Sequence, residues 1–197
     1  MKTMRQTGPN RRLSFLQAAL DLFSVQGYAA TTTKAIAERC GVTEALLFRH
    51  FHNKEELLRA VVEQFSPRPL FQPPPTAIHV LPPRAAIELL LTGYLDSVWA
   101  NRIFIQMVFT TPKREQTVFE EIWTEFGKQG LYLYTLLQER SDRRELKAGV
   151  AAATTDVIST STSGFLQRIL IEPPQDWDAA RNAYIANLLQ ILFDNIA

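Results

Sequence analysis

The chain has 197 residues, 46% of them hydrophobic and 21% charged, the balance of a soluble globular protein long enough for one or two packed cores. A single cysteine, Cys40, excludes an intrachain disulfide framework and fits a reducing compartment, and no apolar run approaches the length of a membrane span. The net charge of +1 is unevenly spread: residues 1–65 hold nine Lys/Arg against six Asp/Glu and the remainder twelve against fourteen, so an anionic partner is expected at the first third.

The opening MKTMRQTGPNRR is polar and basic, and Gln17 and Asp21 interrupt the apolar stretch behind it. No secretory signal is expected, and the expected location is the cytoplasm. Leu13, Leu16, Leu20 and Phe23 then recur at helical spacing and predict an amphipathic helix of about four turns. Gly27 ends it, with Tyr28 folding back onto the helix. Thr32 is the N-cap of a second helix containing Ile36, Ala37 and Cys40. Gly41 supplies a tight turn, and Thr43 caps a third helix, Glu44 to His50, that turns Leu47 and Phe51 inward. Asn53 with Glu56 three residues on is a capping pattern. It opens a fourth helix whose Leu57, Leu58, Val61, Val62 and Phe65 face the core.

Two short helices joined by a glycine turn form a helix-turn-helix, whose second helix enters the DNA major groove. The wider stretch AALDLFSVQGYAATTTKAIAERCGVTEALLFRHFHNKEELL resembles the TetR family of transcriptional regulators throughout. The matching positions are Ala18, Ala19, Leu22, Phe23, Gly27, Tyr28, Thr31, Thr32, Ile36, Ala37, Gly41, Val42, Thr43, Leu47, Phe48, His50, Phe51, Lys54, Glu55 and Leu57, and the likeness covers about residues 12–65. There are departures. The family usually has an acidic or amide residue where Ala35 stands, often a phosphate-reaching tyrosine where Phe48 stands, and commonly a small or hydroxylated residue at Leu46.

The resemblance implies a DNA surface made of Arg11, Arg12, Thr32, Thr33, Thr43, Glu44, Ala45, Leu46, Phe48, Arg49, His50 and Lys54. Arg49 suits guanine or phosphate through its planar fork. Lys54 stands at a helix start that already favours a phosphate. Ala45 and Leu46 offer apolar contact to a thymine methyl. His50 and His52 supply two metal-type side chains without a third, so structural or phosphate roles are favoured over a metal site. Cys40 reads as a buried small residue and not as a redox sensor.

Residues 66–83 hold seven of the eleven prolines and read as a linker. Residues 84–197 are again helical by pattern, with breaks near Pro112, Ser141–Arg144 and Pro173–Pro174. The expected fold is therefore all-α: an N-terminal three-helix helix-turn-helix domain (1–65), the linker, and a C-terminal helical bundle for ligand binding and dimerisation (84–197). The family resemblance implies a cavity among the bundle helices. Trp99, Phe104, Met107, Trp123, Phe126 and Phe165 are its candidate lining, with Asp96, Arg102, Gln106 or Arg168 for polar contacts. The helix near 145–171 is dense in small residues, and the one near 175–196 carries Tyr184, Leu188, Leu189, Ile191, Leu192 and Phe193. In the family such a pair forms a dimer interface.

No nucleophile elbow, phosphate loop or paired carboxylates appear, so neither enzymatic activity nor a cofactor is expected. The expected function is a ligand-responsive transcriptional regulator, a repressor. It binds a palindromic double-stranded operator as a homodimer, away from membranes, and is released by a small apolar effector. The alternatives are a DNA-binding regulator controlled by a protein partner, and a ligand-handling relative that no longer binds DNA.

Overall fold

The computed structural model describes residues 8–66, 76–111, 118–146 and 149–194. Among these the chain is helical and forms no strand. The helices are α1 (Gly8–Gln26), α2 (Thr33–Arg39), α3 (Glu44–Phe48), α4 (Lys54–Phe65), α5 (Pro83–Ala100), α6 (Arg102–Thr110), α7 (Glu120–Asp142), α8 (Ala151–Ile171) and α9 (Trp177–Asp194), with a 3-10 turn at Thr76–His79. None of them is long and apolar enough to cross a membrane.

The chain divides into two compact units. The first comprises Met1–Arg68 and Asn101–Ile122, so α6 groups with α1–α4 although α5 precedes it in the chain. Here α1 packs against α2, α4 and α6. The buried face of α1 is Phe15, Leu16, Ala19, Leu20 and Phe23, while Leu13 is 47% exposed. The expected stripe therefore loses its first member. At 3.6 residues per turn the row facing α4 and α6 starts at Phe15. Phe15 meets Phe51 edge-on at 6.4 Å, and Tyr28 folds back to 5.2 Å from Phe23. Leu57, Leu58, Val61 and Val62 complete the core from α4, with Phe65 half-buried. On α6, Phe104, Ile105, Met107 and Val108 are buried, and the Thr110 hydroxyl lies 3.3 Å from the Phe23 carbonyl at the end of α1.

The second unit comprises Pro69–Ala100 and Trp123–Ala197. There α9 packs along α5 and beside α8. The proline-rich segment is read from sequence as a linker, and residues 67–75 of it lie outside the described residues. Its second part is anchored: Ile78 is fully buried, and the Arg140 guanidinium donates to the Ile78 carbonyl at 2.7 Å. His79 pairs with Glu139 at 2.9 Å, and its carbonyl accepts from Arg143 at 3.0 Å. A buried apolar residue among prolines is a weak signal in sequence, but these bonds tie the segment to α7 and to Arg143 just after it.

Candidate nucleic-acid interface and cavity

The helix-turn-helix is built from local rules. Thr32 sits in extended backbone and accepts from the Ala35 N–H at 3.1 Å, so α2 has its cap without an acidic residue at Ala35. Gly41 has φ +67°, which a side chain would strain. The turn closes with the Val42 N–H on the Ala37 carbonyl at 3.0 Å. Thr43 occupies the cap position of α3, but its hydroxyl makes no capping bond. The expected cap is positional only, and the bond at this corner runs instead from the Thr33 hydroxyl to Glu44 Oε1 at 2.5 Å. Asn53 Oδ1 accepts from the Glu56 N–H at 2.8 Å and caps α4. The returning Glu56 carboxylate reaches the His52 N–H at 2.6 Å, one residue before the cap.

On α3, Leu47 is buried and pins the helix, so Ala45, Phe48 and the following Arg49 are turned outward, with Leu46 half-buried. Arg49, Thr32 and Thr43 are exposed as the sequence suggests. Thr33 and Glu44 bond to each other, so the Glu44 carboxylate braces α3 against α2. The Lys54 ammonium lies 4.3 Å from the Tyr28 ring centroid and 3.3 Å from the Ala29 carbonyl, which fixes its position at the first turn of α4. Arg12 lies 5.1 Å over the Phe51 ring, and Arg11 is half-buried. His50 packs inward, 5.4 Å from Phe15, so its ring braces α1.

His52 pairs with Glu56 through Nδ1 at 2.7 Å, and these bonds hold the Glu56 carboxyl below the usual carboxylate range. Among the described residues no cluster of three or more His, Cys, Asp or Glu stands close enough for a metal. Cys40 is half-buried with Sγ 3.5 Å from the Ser14 carbonyl, and burial pushes the thiol up despite Arg11 and Arg39 nearby. A thiol raised in this way is a poor nucleophile.

In the second unit the structure does not gather the six candidate lining residues. Phe104 and Met107 are core residues of α6 in the first unit. Trp99 stacks on Trp177 at 4.6 Å, Phe165 stacks on Tyr184 at 4.2 Å, and Arg168 lies 5.5 Å over Phe165. Trp123 is half-buried, and the side chain of Phe126 lies outside the described residues. Asp96 accepts from the Trp177 indole at 2.9 Å and ion-pairs with Arg181. The larger rings thus fill a corner between α5, α8 and α9.

A recess of about 160 Å³ lies elsewhere in this unit. From α5 come Leu90, Leu91 and Tyr94, and from α7 Gly130 and Leu133. The α8 side supplies Ile158, Ser159, Thr162 and Ser163. The sequence signal for it was a glycine inside a helix facing a Ser/Thr-rich one, not the aromatics. A second groove between α8 and α9 has a mixed lining, with Ser161, Ala180, Ala183, Leu188 and Ile191 beside the polar Arg168, Tyr184 and Asn187.

The model for bacterial regulatory proteins, tetR family, matches residues 15–61. The uncharacterized HTH-type transcriptional regulator YvkB of Bacillus subtilis (strain 168) is 49% identical over 63 residues, which span 32% of this chain and 31% of that protein. The likeness to it is thus confined to less than a third of its length. The HTH-type transcriptional regulator UidR of Escherichia coli (strain K12) is 24% identical over 199 residues, covering 100% of this chain and 97% of its own. Among solved structures, NalD, the secondary repressor of the MexAB-OprM multidrug efflux pump in Pseudomonas aeruginosa, superposes with a TM-score of 0.63 at 19% identity. That match covers 97% of this chain and 98% of NalD, a likeness of fold.

Proposed function

Because the chain belongs to the tetR family of bacterial regulatory proteins, we propose that it is a transcriptional repressor that binds a palindromic operator as a homodimer and is released by a small apolar effector. The observation that carries the DNA-binding reading is the braced α2–turn–α3 corner, which turns Ala45, Phe48 and Arg49 outward from a helix pinned by Leu47. In this reading residues 1–65 are the reader, 66–83 the connection and 84–197 the effector and dimerisation domain. Arg49 reads a base or phosphate, and Lys54, held over Tyr28, neutralises a phosphate at the start of α4.

The dimer forms through α8 and α9. Ile171 and Ile191 are exposed, and Ile191 lines the groove between α8 and α9, where the small Ser161, Ala180 and Ala183 stand beside Arg168, Tyr184, Asn187 and Leu188. The two-fold mate fills it, placing the recognition helices about 34–36 Å apart, one turn of DNA.

Effector control runs through α6. This helix is chemically continuous with α5 through Asn101, yet its apolar face is built into the core around α1. A shift of α6 therefore moves α1, and with it the reader. An effector that binds the non-operator arrangement better lowers DNA affinity, by a typical coupling of about 1–3 kcal/mol, and DNA must weaken effector binding by the same factor. The test is a gel shift of the promoter region upstream of the protein's own gene. A salt-sensitive, sequence-specific shift supports the reading, and its absence against both this promoter and sequences selected from a random pool contradicts it.

A further inference from the structure

The recess between α5, α7 and α8 carries chemistry that narrows the effector. Its apolar wall is leucine and isoleucine, its polar atoms are hydroxyls, and none of the described residues lining it is charged. Thr162 is buried and shares a 2.9 Å hydrogen bond with the Tyr184 hydroxyl. Burial, with Tyr184 nearby, pushes the Tyr94 phenol far above its ordinary range, so the wall stays neutral at every physiological pH. A charged guest would lose its hydration and gain no counter-charge. The volume, about 160 Å³, is that of a cavity that admits one six-membered ring.

Gly130 contributes to the lining of this space. It lies inside α7, where glycine is a poor helix former. A Cβ built on it would meet nothing within 4 Å. Neither a turn nor a close backbone approach requires a glycine there, although it lines the recess.

We propose that this recess binds an uncharged, single-ring organic molecule bearing one hydroxyl or carbonyl group, which the Tyr94 hydroxyl orients. The proposal rests on the effector-responsive reading above and adds the chemical class of the effector.

The test uses the full chain and four probes of one shape, benzyl alcohol, toluene, benzoate and benzylamine, each titrated calorimetrically at pH 7. The expected result is that benzyl alcohol binds at least tenfold more tightly than benzoate and benzylamine. Tyr94→Phe should weaken benzyl alcohol about tenfold and leave toluene unchanged. Gly130→Leu should abolish binding of both neutral probes while helical content is retained, and Gly130→Ala should raise Tm by roughly 2–4 °C. Benzoate binding as tightly as benzyl alcohol overturns the proposal, as does neutral-probe binding undiminished in a folded Gly130→Leu chain. Operator binding measured alongside separates the two readings. Probe binding by a chain that shifts no DNA supports the recess and removes the regulator reading. DNA binding by a chain that takes up no neutral probe does the reverse.

Discussion

The two units use the same residue types for different ends. In the first, aromatic rings close edge-on around α1, Phe15 against Phe51 and Phe23 against Tyr28, and Gly27 and Gly41 stand at positive φ where the chain turns sharply. In the second, rings stack flat, Trp99 on Trp177 and Phe165 on Tyr184, while Gly130 stands inside a helix beside open space. Glycine supplies backbone freedom at Gly27 and Gly41, and at Gly149 in the second unit, whereas Gly130 lines open space. Gly41 fixes the turn between α2 and α3, and Gly130 lines the recess. The same substitution should therefore act with opposite sign at Gly41 and at Gly130.

The largest expected effect lies in the aromatic core of the first unit. Phe51→Ala removes a fully buried ring and should cost about 3–5 kcal/mol, read from denaturant melts. A loss below about 1 kcal/mol would mean that the ring contacts of α1 do not close this core. The glycine pair comes next. Gly41→Ala, at φ +67°, should destabilise by about 1–2 kcal/mol. Gly130→Ala should instead stabilise by about 0.5–1 kcal/mol. Two changes of the same sign would break the contrast between the units.

The smallest effect is electrostatic. The His52 N–H and ring hold the Glu56 carboxyl below its ordinary value of 4.5. That contribution is fully present above the unfolded value and is lost as pH falls through the lower folded one. Acid should thus loosen the start of α4 at pH below about 4.5, seen as movement of the His52 amide resonance. Movement of that resonance near neutral pH alone would point to another group.

The first unit was legible because its signals are short-range. Thr32, Gly27, Gly41 and Asn53 act on backbone within four residues of themselves, and the structure finds each of them at a cap or turn. Partner choice was less legible: Glu44 bonds to Thr33, and the His50 ring packs against Phe15. In the second unit the helices were legible and the position of the recess was not. Whether Trp99 lines a cavity or stacks on Trp177 depends on a residue 78 positions away in sequence. Helical periodicity reports which face is buried, not against what. The grouping of α6 with α1 has the same origin. Its apolar face was visible, but its partner was not.

The central claim, that the outward face of α3 reads DNA, is tested most directly by selection from a random duplex pool with the full chain, followed by anisotropy titrations of the enriched sequence with wild type and Arg49→Ala. The expected result is enrichment of a two-fold symmetric site whose affinity falls by about 1–3 kcal/mol in Arg49→Ala, with non-specific duplex much less affected. Enrichment of no sequence, or an Arg49→Ala chain that binds the selected site as tightly as wild type, would contradict it.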